Sequence, residues 1–161
     1  MDFRIGHGFD THRLEAGEGV SLGGVHIPCA YRIVAHSDGD VLIHALCDAL
    51  LGATGGGDIG KLFPDNDPQY QGIDSRELLA EVMRRVRAAG FGVVNADLTL
   101  IAEAPRVAAH VPAMRAALAS ELGIEDARVN VKATTNETMG ALGRREGLAA
   151  HAVVLLGPAV R

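Results

Sequence analysis

The sequence predicts an α+β fold, a two-layer sandwich in which a mixed β-sheet carries its helices on one face. Two observations lead there. Strand-like and helix-like segments follow one another as β-β-α-α-β-α-β, an order that groups the helices on one side of a sheet. The last segment, residues 148–156, is apolar on both faces apart from His151, and such a strand needs cover on both sides. Helices supply one cover. In so short a chain a neighbouring subunit supplies the other, so an oligomer is expected. With 161 residues and no linker, repeat or low-complexity segment, residues 1–161 read as one domain.

Each element has its own signal. Residues 3–9 place apolar or aromatic side chains at odd positions, the two-residue period of a strand. Residues 21–27 read as a hairpin turning at Gly23-Gly24. From Asp38 the spacing becomes helical: Val41 and Ala45, then Leu42, Leu46 and Ala49, recur at three- and four-residue steps, and Gly55-Gly56-Gly57 stops them. Ser37 or Asp38 is the natural N-cap. A second helix opens with Asp74 and Glu77 in capping-box spacing and ends at Gly90. Its stripe is Leu78, Leu79, Val82, Met83 and Val86, with Arg84, Arg85 and Arg87 facing away. Residues 93–102 read as a strand. A third helix covers 105–122, closed by Gly123, with Pro112 expected to break it near His110. Residues 128–135 form the strand before the last.

Composition narrows the function. Hydrophobic residues are 48% and charged residues 22%, which is globular rather than disordered composition. Aromatics are 4% with no Trp, so Leu, Val, Ile and Ala must fill the core. A net charge of −5 and a pI near 5.8 exclude the basic field that nucleic acid requires. No apolar run reaches the ~18–20 residues of a membrane span, and Asp2 and Arg4 stand where a signal peptide would be apolar. Cys29 and Cys47 form neither a Cys-x-x-Cys clip nor a disulfide framework, which fits a reducing cytoplasm.

Several segments carry chemistry. Asp10-Thr11-His12 puts a carboxylate and an imidazole on one face of a continuing strand. His44 on the first helix can add a third donor, giving a set suited to Zn²⁺ with one position open. The plain alternative is a turn cap or surface pair. Asp48, four residues after His44, can accept from its far ring nitrogen. Ala35-His36-Ser37-Asp38-Gly39-Asp40 leads into a helix N-terminus, which offers N–H groups to a phosphate. Gly55 to Lys61 resembles a phosphate-cradling loop but is no P-loop, because Leu62 follows Lys61. Phe63-Pro64-Asp65-Asn66-Asp67-Pro68 is a turn-rich acidic loop. Lys132-Ala133-Thr134-Thr135-Asn136-Glu137 gathers hydroxyls and a carboxylate at a strand end, and Glu137 is an oxygen ligand of the kind Mg²⁺ takes.

Taken together, Arg4-Ile5-Gly6-His7-Gly8-Phe9-Asp10-Thr11-His12, Ala35-His36-Ser37-Asp38-Gly39-Asp40, Gly57-Asp58-Ile59-Gly60-Lys61-Leu62-Phe63-Pro64-Asp65 and Asn130-Val131-Lys132-Ala133-Thr134-Thr135 resemble the 2-C-methyl-D-erythritol 2,4-cyclodiphosphate synthase family. The resemblance runs from Arg4 to Leu156 in the family's order and spacing. It implies a homotrimer with active sites between subunits. It implies conversion of 4-diphosphocytidyl-2-C-methyl-D-erythritol 2-phosphate to the cyclic diphosphate plus CMP, in the non-mevalonate isoprenoid pathway.

The resemblance also implies roles for residues. Asp10, His12 and His44 match zinc ligands, and His36 and Thr135 match positions that stabilise the transition state. Thr11 and Ser37 stand beside them in the substrate site. Asp58, Ile59 and Gly60, with Phe63, Pro64, Asp65, Asn66 and Asp67, match the part that holds the methylerythritol phosphate. Ala102, Glu103, Ala104, Pro105, Arg106, Val107 and Ala108 match the cytidine-diphosphate side, which a neighbouring subunit contributes. Thr134, Thr135, Asn136 and Glu137 match that side as well, with Glu137 toward a second ion, Mg²⁺ or Mn²⁺, and Lys132 and Ala133 just before them match substrate-binding positions. Ala141 and Arg144 match positions at the central trimer channel, where Ala141 replaces a common Phe and Arg145 a usual Gly. Two other functions fit parts of the pattern: a metal-dependent phosphohydrolase using water, and a non-catalytic module binding CDP or isoprenoid phosphates.

Overall fold

The computed structural model describes residues 2–159. Seven strands are present among them: β1 (Arg4–Ala16), β2 (Gly19–Leu22), β3 (Val25–Pro28), β4 (Tyr31–Val34), β5 (Phe91–Ile101), β6 (Val129–Thr134) and β7 (Gly147–Pro158). Five of them form one sheet in the order β4-β1-β7-β5-β6, with β5 and β6 parallel and every other pair antiparallel. The helices are α1 (Val41–Thr54), α2 (Ile59–Leu62), α3 (Ser75–Ala88), α4 (Val111–Leu122) and α5 (Gly140–Gly143). The expected mixed sheet and helical layer are both there.

β1 shows how the layers meet. Gly6, Gly8 and Leu14 are buried and Asp10 and His12 half-buried toward the helices, while Ile5, His7, Phe9, Thr11 and Arg13 are exposed on the opposite face. A Cβ on Gly6 would lie 1.8 Å from the Ala49 carbonyl oxygen, and one on Gly8 1.8 Å from that of Ala45. The backbone of α1 therefore rests directly on β1, an approach that only glycine permits. α1 is enclosed on nearly all sides: Val41, Leu42, Ile43, Ala45, Leu46, Cys47, Ala49 and Leu50 have no exposure. α3 turns its predicted stripe, Leu78, Leu79, Val82, Met83 and Val86, inward.

The β2–β3 hairpin forms a separate ribbon, turning through Gly23 and Gly24 at φ 60° and 77°, the positive values that a two-residue hairpin turn needs. Asp40, rather than Ser37 or Asp38, caps α1. Its carboxylate accepts N–H bonds from Ile43 (3.1 Å), Gly23 (2.9 Å) and Gly24 (2.8 Å), so one side chain ties the helix start to the hairpin turn.

Other expectations are corrected. Pro112 sits in the first turn of α4, where its missing N–H costs nothing, so it starts the helix instead of breaking it. Ala108–His110 is a 3₁₀ turn, and residues 105–107 are not helical. β4, α2 and α5, four residues each, are too short to carry a periodic signal. Arg145, the residue in the usual glycine position, adopts φ 63°, the left-handed region that glycine enters more easily.

Candidate active site

Three side chains converge where β1 passes beneath α1. Strand alternation aims Asp10 and His12 at the helix, and His44 stands one turn after the Asp40 cap, its N–H bonded to the Asp40 carbonyl at 2.9 Å. His12 Nε2 lies 3.1 Å from His44 Nδ1 and 3.1 Å from Asp10 Oδ2, and His44 Nδ1 lies 3.0 Å from Asp10 Oδ2. Two imidazole nitrogens and one carboxylate oxygen thus form a nearly equilateral triangle. Ligands at ~2.0–2.1 Å from a tetrahedral zinc would stand roughly 3.3–3.4 Å apart. The triangle needs to open by only a few tenths of an ångström, and the donor set suits that metal, with a fourth direction left toward the cleft.

The electrostatics agree. Burial alone would raise the Asp10 pKa, but hydrogen bonds and charge from His12 and His44 win and hold it at about 2. Burial opposes a charge on His44, while Asp10, Asp40 and Asp38 pull its pKa above the ordinary imidazole value. Asp40 is the opposite case: complete burial outweighs its three N–H bonds, and its pKa is pushed up to about 6.

A cleft of about 410 Å³ opens beside the triangle. His36, Ser37, Ile59, Gly60, Phe63 and Asp65 line it together with Asp10, His12 and His44. His36 Nε2 donates to the Asp67 carbonyl at 2.9 Å and so ties two cleft-lining loops together. Asp58 caps α2 by accepting Lys61 N–H at 2.9 Å, and Asp67 accepts Gln69 N–H at 3.0 Å. Pro64 and Asn66 stand in the same loop, outside the cleft lining. The glycine-rich segment ends in α2 instead of wrapping as a phosphate loop.

The far nitrogen of His44 does not meet Asp48, whose carboxylate accepts Ile59 N–H at 2.8 Å. His44 Nε2 instead lies 3.0 Å from Ser75 Oγ and 3.1 Å from Ser37 Oγ. Ser75 is fully buried, and nothing in the sequence singles it out beyond its place after the Asp74 cap.

The remaining candidates gather elsewhere. Ala102 N–H bonds to the Thr134 carbonyl at 3.0 Å, and Glu103 Oε1 accepts N–H bonds from Asn136 (2.8 Å) and Thr138 (3.2 Å). Segments 102–108 and 132–137 therefore sit side by side where β5 and β6 end. β7 separates them from β1, roughly 10–14 Å across the sheet, and neither segment lines the cleft of its own chain. The Val107 side chain is core, Lys132 pairs with Asp97, and Arg144 pairs with Glu146 at 3.1 Å. Thr11 Oγ1 donates to the Leu148 carbonyl at 2.9 Å, and Thr11 lines a second groove with Ala141.

The YgbB family description matches residues 3–157. The chain is 58% identical over 158 residues to the 2-C-methyl-D-erythritol 2,4-cyclodiphosphate synthase of Chromohalobacter salexigens, covering 98% of each chain. It is 59% identical over 155 residues to that of Thioalkalivibrio sulfidiphilus, covering 96% of this chain and 97% of the relative. Among solved structures, the bifunctional IspDF of Campylobacter jejuni superposes with a TM-score of 0.94 at 41% identity, covering 98% of this chain but 43% of that one. The IspF–CDP complex of Plasmodium falciparum superposes with a TM-score of 0.86 at 30% identity, covering 98% and 97%.

Proposed function

The chain belongs to the YgbB family, and on that premise we propose how its residues carry out the family's cyclisation. The enzyme converts 4-diphosphocytidyl-2-C-methyl-D-erythritol 2-phosphate to 2-C-methyl-D-erythritol 2,4-cyclodiphosphate and CMP. An oxygen of the 2-phosphate forms a bond to the β-phosphorus while the bond from that phosphorus to the α-phosphate oxygen breaks, and CMP leaves with the electron pair. No protein nucleophile is required. The obstacle is bringing two anions together, so positioning and charge neutralisation supply the catalysis.

Asp10, His12 and His44 would hold a zinc ion, which when bound would supply Lewis-acid withdrawal of charge from the phosphate and help to orient it. The cleft lined by Ile59, Gly60, Phe63 and Asp65, with Asp58, Pro64, Asn66 and Asp67 around it, receives the methylerythritol phosphate, and Thr11 and Ser37 flank the site. His36 and Thr135 stabilise the charge that builds on the transferring group. The cytidine diphosphate is held by residues 102–108 and 134–137 of a neighbouring subunit, with Lys132 and Ala133 beside them at the substrate. Glu137 would offer an oxygen ligand to a second ion, Mg²⁺ or Mn²⁺, which would offset phosphate charge. Ala141 and Arg144 stand at the trimer channel.

Within one chain the metal triangle and the cytidine-side segments lie at separated strands, and this supports a shared site in a homotrimer. The uncovered sheet face supports it too, because Ile5, Phe9 and Val153 are 75%, 49% and 45% exposed there, an apolar surface that a second copy would bury. No helix among the described residues is long and apolar enough to cross a membrane, and the free thiols of Cys29 and Cys47 suit a cytoplasmic location. One observation carries the reading: three donor atoms 3.0–3.1 Å apart beside a cleft. Phosphorus NMR of the reaction should show the cyclic diphosphate and CMP, and a linear product would favour the phosphohydrolase. Reassembled mixtures of Asp10→Ala and Thr135→Ala subunits should regain activity that neither variant has alone. Mixtures no better than their parents would reject the shared site.

A further inference from the structure

The ring of His44 is held by a chain of hydrogen bonds that runs away from the metal triangle. Asp38 is the end of that chain. Its carboxylate, an acceptor only, takes Ser75 N–H at 3.1 Å, Asp40 N–H at 3.1 Å and the Ser75 hydroxyl. Ser75 has a single hydroxyl hydrogen, and that carboxylate claims it. The Ser75 oxygen is left to face His44 Nε2, at 3.0 Å, with lone pairs only. An unprotonated Nε2 would set its lone pair against those of the fully buried Ser75 hydroxyl, so Nε2 carries the ring hydrogen. Nδ1 is then the nitrogen left for an ion: the hydrogen with which it bonds Asp10 Oδ2 in the metal-free triangle is the one a metal displaces.

Ser37 does not make this choice. Its Oγ accepts Gly39 N–H at 3.1 Å and keeps its own hydrogen, so it can face either tautomer.

We propose that Ser75 and Asp38 are positioning residues that fix the Nε2–H tautomer of His44 and thereby present Nδ1 as a metal ligand. The inference rests on the metal reading of the triangle and deepens it. Loss of an outer partner of a metal-bound imidazole typically costs 10–100-fold in metal affinity. Asp38→Asn is the sharper variant: its single amide oxygen, in place of Oδ2, keeps the Ser75 N–H bond at the cost of the Asp40 one, while the NH₂ in place of Oδ1 offers N–H to Ser75 Oγ. The Ser75 hydroxyl would then turn its hydrogen on Nε2 and drive the ring to the wrong tautomer.

The test is zinc affinity of the full chain, measured by competition with a chromophoric chelator, together with ¹⁵N NMR of the imidazole nitrogens. Wild type should bind one zinc per chain with His44 protonated at Nε2. Ser75→Ala and Asp38→Asn should bind it 10–100-fold more weakly, Asp38→Asn should shift the His44 nitrogen pattern, and Ser75→Thr should restore affinity. Should Ser75→Ala fail to fold, Asp38→Asn decides alone. Unchanged zinc affinity in folded Asp38→Asn overturns the relay while leaving the metal site intact. Absence of zinc binding by wild type overturns the metal reading itself and the relay with it.

Discussion

Asp40 illustrates how one residue can serve the site without touching it. It is completely buried and satisfies N–H groups of both the hairpin turn and the helix that carries His44. Asp40→Asn keeps the shape but turns an amide NH₂ on a backbone N–H, a buried mismatch worth about 1–3 kcal/mol, readable as a lowered urea midpoint. The pH dependence has a definite sign. The folded pKa of about 6 lies above the ordinary 3.8, so the native state binds the proton more tightly than the unfolded chain. That contribution is complete below pH ~4 and is lost as pH rises through about 6. The stability gap between wild type and Asp40→Asn should therefore narrow across this window in chelator-treated protein, and a widening gap would contradict the assignment. Sequence spacing pointed to Ser37 or Asp38 as the cap because all three residues are good caps. Only the position of the hairpin, remote in sequence, separates them. Ser75 was hidden for a similar reason: beside Asp74 it reads as part of a helix start, and its role depends on Asp38 and His44 arriving from elsewhere.

At the scale of elements, the contact between β1 and α1 sets the geometry of the Asp10–His12–His44 triangle. Spacing alone placed Asp10 and His12 on one face and His44 on the first helix, and those three do meet. What spacing could not give is the distance between the two elements, which depends on Gly6 and Gly8 having no side chains. Gly8→Ala would press a methyl group against the Ala45 carbonyl, next to His44. It should destabilise the fold by about 1–3 kcal/mol through overpacking and weaken zinc binding beyond what the lost stability explains. Equilibrium unfolding and chelator competition on the same sample separate the two effects, and zinc affinity equal to wild type would show that the helix can shift without disturbing its ligand. The long periodic segments, α1 and α3, were legible because each buries a continuous stripe. β4, α2 and α5 were not, since four residues complete little more than one turn or two alternations. Their conformations come from neighbours, such as Asp48 holding the start of α2.

Over the whole molecule, the two-layer arrangement leaves one sheet face without a covering layer. The apolar character of the last strand on both sides had already called for a second cover. Val153→Asp places a charge in the middle of the exposed face and, for the homotrimer proposed above, should reduce the sedimenting mass from three chains to one. Activity should fall with it, while the far-ultraviolet circular dichroism stays unchanged. A trimer of undiminished mass would locate the subunit contact elsewhere. The same sheet has a temporal side. β7 lies between β1 and β5, so the strand translated last of the seven must slot into the centre. Until residues 147–158 emerge from the ribosome, the earlier strands wait as two half-sheets with open edges, and long-range pairing of this kind is slow and prone to aggregation. A message cut short before β7 should therefore yield insoluble polypeptide rather than a weakened enzyme, which makes the final strand the chain's quality-control checkpoint.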